Sequence, residues 1–169
     1  MKKSILSLAL ITSFSGSVLA ASQTFQASVN AMQDATIAET SALHFGAIQP
    51  TALSVCTMDN AGAVSGDCDA SDAAINIGLI TVSGVAANVP LNVTVTGGSS
   101  TELTFAATYD INNATATHDG ITDGTLTAVT TNGLGDDLTI DVYGAMTVDS
   151  TLTAGSAYTV DYTVDVAFQ

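Results

Sequence analysis

The chain has 169 residues, with 16 acidic side chains against two basic ones and a formal charge of −14. Both basic residues, Lys2 and Lys3, stand at the very start, so nucleic acid and anionic lipid are disfavoured as partners, and Lys–Asn isopeptide crosslinks are excluded from the rest of the chain. The acids are nearly all Asp, and a chain rich in Thr, Val and Ala but poor in Glu, Lys and Leu leans towards strands and tight turns.

The first segment reads as a secretory signal peptide over residues 1–20. Lys2 and Lys3 form its basic start, Ile5–Ile11 its apolar stretch, and Val18-Leu19-Ala20 its small-residue cleavage site. Thr12, Ser13, Ser15, Gly16 and Ser17 break the apolar run well short of the ~20 residues that span a bilayer. The expectation is an exported protein, in the periplasm, at the cell surface or outside the cell, with no membrane insertion after signal removal. Residues 21–169 then form one domain.

Period-two alternation dominates the rest of the chain. In "TFQASVNAM", Phe25, Ala27, Val29 and Ala31 fall on one side, so residues 21–33 read as a first strand or as an N-terminal donor strand for another subunit. A weak helix over "SVNAMQDATIAET", using Val29, Met32 and Ile37, is the lesser reading. "ALHFGAIQP" alternates through Leu43, Phe45 and Ala47, with His44 on the opposite face. "AAINIGLITVSG" alternates through Ile75, Ile77 and Leu79, then shifts phase to Ile80 and Val82. "NVPLNVTVTGG" carries Val89, Leu91, Val93 and Val95, with Gly97-Gly98 as its turn. "TELTFAATYDI" carries Leu103, Phe105, Ala107 and Tyr109. "DDLTIDVYGAMTV" carries Leu138, Ile140 and Val142, then breaks near Gly144 as at a bulge and resumes at Met146 and Val148. The closing strand runs from Tyr158 through Val160, Tyr162, Val164 and Val166 to Phe168, with Asp161 and Asp165 facing outward. Turn clusters such as "GGSS", "HDGITDG", "TNGLGDD" and "TAGS" separate these runs. The pattern predicts an all-β fold, an immunoglobulin-like antiparallel β-sandwich.

The two cysteines, Cys56 and Cys68, are an even pair in an exported chain, and they read as one disulfide. In the loop they enclose and just beyond, Asp59, Asp67, Asp69 and Asp72 are candidate calcium ligands, since Ca²⁺ takes six to eight oxygens. The pattern is not that of an EF-hand, and a solvated acidic loop accounts for the same residues. "HDGITDG" reads as a hairpin tip rather than as a site built on His118. The sequons at Asn92 and Asn113 are weak. G-x-S-x-G, H-E-x-x-H and a P-loop are absent, the two histidines stand near no nucleophile, and sugar-binding Trp is lacking. The chain therefore reads as non-catalytic and without a cofactor, calcium aside. A Thr-rich ice- or surface-binding protein would need a regular T-x-T ladder, which is missing.

Two stretches carry a resemblance. "DATIAETSALHFGAIQP" is similar to an L-x-FG-x-I/V-x-P signature of exported bacterial β-sandwich proteins, and "STLTAGSAYTVDYTVDVAFQ" is similar to the ending of the same group. The chain resembles the bacterial domain of unknown function 4402 family, with related patterns in spore-coat-U-type and chaperone–usher fimbrial subunits. The resemblance implies an immunoglobulin-like fold and no settled activity. From the fimbrial relatives it implies completion by donor strands, and hence partners that are other copies or related subunits. The leading expectation is an exported structural or fimbria-like subunit. The alternative is a self-contained extracellular binding domain using its acidic loops for calcium or a glycan.

Overall fold

The computed structural model describes residues 35–134 and 137–169, together with Gln26 and Ser28. The expected signal peptide and the candidate donor positions Phe25, Ala27, Val29 and Ala31 lie outside the described residues. The described chain holds ten strands and no helix: β1 Thr36–Ser41, β2 Val55–Met58, β3 Val64–Gly66, β4 Gly78–Ser83, β5 Pro90–Thr96, β6 Leu103–Asn112, β7 His118–Thr122, β8 Thr127–Thr130, β9 Leu138–Val148 and β10 Thr163–Phe168. All pairings are antiparallel, and two sheets pack as an immunoglobulin-like β-sandwich.

The long pair β6–β9 is the spine of the larger sheet. Its ladder runs without a register shift from Leu103↔Val148 to Asn112↔Thr139. β7 lies outside β6. On the other edge of β9, β4 pairs with residues 138–142 and β2 with residues 144–147, while β1 flanks β4 and β3 flanks β2. The smaller sheet has three strands, in the order β10–β5–β8.

Alternation places the core. Leu91, Val93 and Val95 of β5 face Phe105, Tyr109, Ile111, Ile140 and Val142 of the larger sheet, and all are essentially without exposure. Burial of each such side chain contributes about 1.5–3 kcal/mol. The Tyr109 hydroxyl reaches across to donate to the Thr125 carbonyl at 2.5 Å, so the one polar atom of that buried ring is satisfied.

Gly144 explains the break in the β9 pattern, and the expected bulge is corrected. The register with β6 is continuous through Ala107↔Gly144, but this is where β9 exchanges β4 for β2 as its second neighbour. Gly144 has φ +132°, and a Cβ there would collide with the Ala106 carbonyl. Gly97 and Gly98 serve a related purpose. The chain leaves the smaller sheet and enters β6 between the carbonyls of Phe105 and Asp161, and a Cβ at either glycine would strike one of them.

Other expectations are also corrected. "ALHFGAIQP" forms no strand; it holds two isolated bridges, His44↔Asn76 and Ile48↔Cys68. Its neighbour, 67–76, is a run of aspartate-capped turns, which cannot supply a continuous ladder. Ile75 and Ile77 precede β4, whose inward set is Gly78, Ile80 and Val82. "HDGITDG" is not a hairpin tip along its length: His118–Thr122 is β7, paired with β6 through an irregularity opposite Asp110, and only Asp123-Gly124 turns. Ile37, given to a weak helix in the lesser reading, lies in β1. The closing strand is shorter than expected, because pairing with β5 begins only at Thr163.

Candidate functional site

The described residues leave one side of the sandwich open. β10 pairs with β5 on one edge and has no described partner on the other. Just before it, Ala157–Tyr162 belongs to no strand, and its main chain makes no backbone hydrogen bond among the described residues. Exposure nevertheless alternates through this stretch and on into β10, with Tyr158, Val160, Tyr162, Val164 and Val166 half-buried and the residues between them exposed. The inward side chains of β5, with strands on both sides, are fully buried; those of β10 are not. Phe168 ends the strand 38 % exposed. A half-buried strand with a free edge is a template for another strand.

Beneath the segment lies an apolar groove of about 670 Å³ between residues 43–50 and 152–162. Phe45, Phe105 and Tyr162 form its aromatic floor, stacked edge to face at 5.7 and 5.9 Å between ring centres. Met146 and Leu152 complete the apolar lining. Glu39 is the one acid on the inner side of β1: it stands opposite the buried Ile80, and its carboxylate accepts the Tyr162 hydroxyl at 3.1 Å. Burial, and then the charge of Glu39, push the Tyr162 phenol up to about 12. At the rim, the Thr153 amide donates to the Tyr158 oxygen at 2.8 Å and holds that phenol below its ordinary value.

Each candidate calcium ligand caps a turn or strand with one carboxylate oxygen. Asp59 Oδ1 accepts the amides of Ala61 and Ala63, Asp67 Oδ2 that of Val55, Asp69 Oδ1 both the amide and hydroxyl of Ser71, and Asp72 Oδ1 the amide of Ala74. The Ser71 hydroxyl and amide keep the Asp69 carboxyl below its usual range. These are turn caps, each carboxylate folded onto its own loop or the neighbouring strand. Among the described residues no three His, Cys, Asp or Glu side chains gather as a metal-holding group. Cys56 and Cys68 are bonded, with their Cα atoms 5.3 Å apart, and the bridge ties β2 to the loop after β3. His44 is exposed, its Nδ1 accepting the Gly46 amide at 2.9 Å, and His118 stands on β7 opposite Ile111.

A second polar cluster had no sequence signal. Asp110 is only 5 % exposed, and it accepts the Tyr143 hydroxyl at 2.7 Å, the Gly120 amide at 2.6 Å and the Asn60 amide group at 3.2 Å. It joins β6 to β9, β7 and the β2–β3 turn. Asp141 stands directly opposite on β9. Burial raises the Asp141 carboxyl above its usual value and the charge of Asp110 adds to this, while a hydrogen bond from Asn112 opposes it. Burial and the Asp110 carboxylate likewise push Tyr143 well above the ordinary phenol range. With both carboxylate oxygens of Asp110 occupied, the cluster is a structural pin.

No family model, curated protein or solved structure matches the chain. No helix among the described residues is long and apolar enough to cross a membrane.

Proposed function

We propose that the chain is an exported structural subunit of a surface assembly, fimbria-like in principle, that joins itself or related subunits by strand addition and performs no catalysis. The observation that carries this reading is the stretch 157–168. It presents half-buried alternating side chains towards an apolar groove, while its outer main-chain edge has no described partner. An incoming extended segment would gain main-chain hydrogen bonds along that edge and bury its alternate side chains beside Val164 and Val166. The candidate donor is residues 21–33, through Phe25, Ala27, Val29 and Ala31. The resemblance of both ends to exported β-sandwich proteins of the domain of unknown function 4402 and fimbrial groups supports the same reading.

The test compares the exported protein with a variant carrying Asp at positions 25, 27, 29 and 31, by solution mass and negative-stain imaging. Heat-sensitive oligomers or fibres that vanish in the variant are expected. A wild-type protein that stays monomeric at high concentration, or a variant that assembles equally well, overturns the reading.

A further inference from the structure

We propose that the groove beside residues 152–162 selects a cationic donor: an extended segment of a different protein, with one bulky apolar side chain seated over the aromatic floor and Lys or Arg beside it. The inference rests on the strand-addition reading and goes beyond its in-chain candidate donor, residues 21–33: at this groove a cationic segment of another protein outcompetes that donor.

Three observations converge. The first is size. A groove of about 670 Å³ falls within the ~300–1,000 Å³ of pockets that take a ligand. Its floor of Phe45, Phe105 and Tyr162 suits one large apolar group rather than a row of small ones.

The second is the charge around it. Asp72 lines the groove, and Glu39 accepts the hydroxyl of Tyr162, another lining residue, at 3.1 Å. Two acids therefore stand at the groove, one in its lining and one on its aromatic floor.

The third is the composition of the chain itself. Beyond Lys3 it has no Lys or Arg to offer, so two copies approaching at this face bring only like charge. Residues 22–33 include Phe25 but carry no charge at all. A neutral segment leaves Asp72 and Glu39 unanswered, and a cationic one neutralises them. Attraction of this kind acts within a Debye length of about 8 Å at physiological salt, which matches charges placed next to the anchor rather than at a distance.

The experiment titrates the full-length exported protein with synthetic peptides by calorimetry. One has alternating Thr and Val, a central Phe and a Lys on each side of it. A second replaces Lys by Glu, a third replaces Phe by Ala, and a fourth is this chain's own Ser22–Gln33. The Phe–Lys peptide is expected to bind at least ~10-fold more tightly than each of the other three, with the gain over the Glu peptide and over Ser22–Gln33 narrowing at high salt. Ala154→Trp, which places bulk in the groove from an exposed loop, should abolish binding. Asp72→Asn with Glu39→Gln should remove the Lys preference while leaving Phe–Lys binding measurable, and this pair serves as the test if Ala154→Trp does not fold. Equal or tighter binding of Ser22–Gln33 overturns the inference and leaves strand addition standing. If none of the peptides binds, both fail.

Discussion

Tyr162 and Glu39 lie 123 positions apart and meet across the open side of the sandwich, hydroxyl to carboxylate, at 3.1 Å. One stands in the lead of β10, which has no backbone hydrogen bond among the described residues, and the other on β1, the outer strand of the larger sheet. This bond fastens the edge of the smaller sheet to that of the larger one, on a ring that lines the apolar groove.

Burial of Tyr162, and then the charge of Glu39, give the fold an alkaline signature. Tyr162 titrates at about 12 in the fold against an ordinary value of 10. A phenol whose pKa is raised by folding contributes stability that is fully present below pH 10 and is lost as pH rises towards 12. Thermal melts at stepped pH should therefore show Tm falling across this window. Tyr162→Phe keeps the ring and should make the fall shallower, with the raised Tyr143 still contributing. An identical slope in the variant would detach Tyr162 from the alkaline response.

Asp141 should respond in the opposite region of the scale. Its carboxyl is raised by burial and by Asp110, so the charged form weakens the fold, and the penalty appears as pH rises through the folded pKa. Asp141→Asn, which can still accept from Asn112, should raise Tm at neutral pH and make no difference in strong acid, where the aspartate is protonated. Differential scanning calorimetry under the two conditions checks this.

The Gly97–Gly98 crossing is a steric requirement. Gly98→Ala would place a Cβ against the Asp161 carbonyl, main chain against main chain, and should cost about 3 kcal/mol in urea unfolding. Gly133→Ala meets only the Asn88 side chain, at 3.5 Å, and should fall within about 0.5 kcal/mol of wild type.

Leu53 is a bulky residue at φ 71°, and it is 81 % exposed, so nothing packs in return for the strain. Leu53→Gly should stabilise the protein by about 1 kcal/mol, read in the same urea titration. A loss would mean that the exposed leucine makes a contact in solution.

The strands legible in the sequence are those that turn every second side chain inward over a long run, β10 among them although its described pairing is on one edge only. β5, β6 and the first half of β9 show their alternation because every second side chain enters the core. β1, β3 and β7 leave no such mark, for the converse reason. "TIAETS" is exposed at nearly every position, and edge strands with little to bury impose no period on their sequence. Tyr158–Tyr162 keeps the period without the ladder, because alternation records which side chains face inward and not whether a neighbouring strand is present. The groove is out of reach of sequence patterns: Phe45, Phe105, Met146 and Tyr162 come from four separate stretches and meet only through the sandwich. The same holds for Asp110, whose surroundings in "TYDIN" give no hint of a buried carboxylate with three donors. The aspartates of the cysteine loop, spaced for turns, serve as turn caps, a role that short-range spacing predicts as readily as metal binding.

Strand addition depends on the edge of β10 that has no partner among the described residues, and amide hydrogen exchange resolved by residue measures that edge directly. In the unassembled protein, amides from Tyr158 to Tyr162 should exchange quickly while those of β5 are protected. On assembly, or on binding a donor peptide, protection should appear across 158–168. Strong protection of this stretch in the monomer, or assembly that leaves its exchange unchanged, would contradict strand addition at this edge.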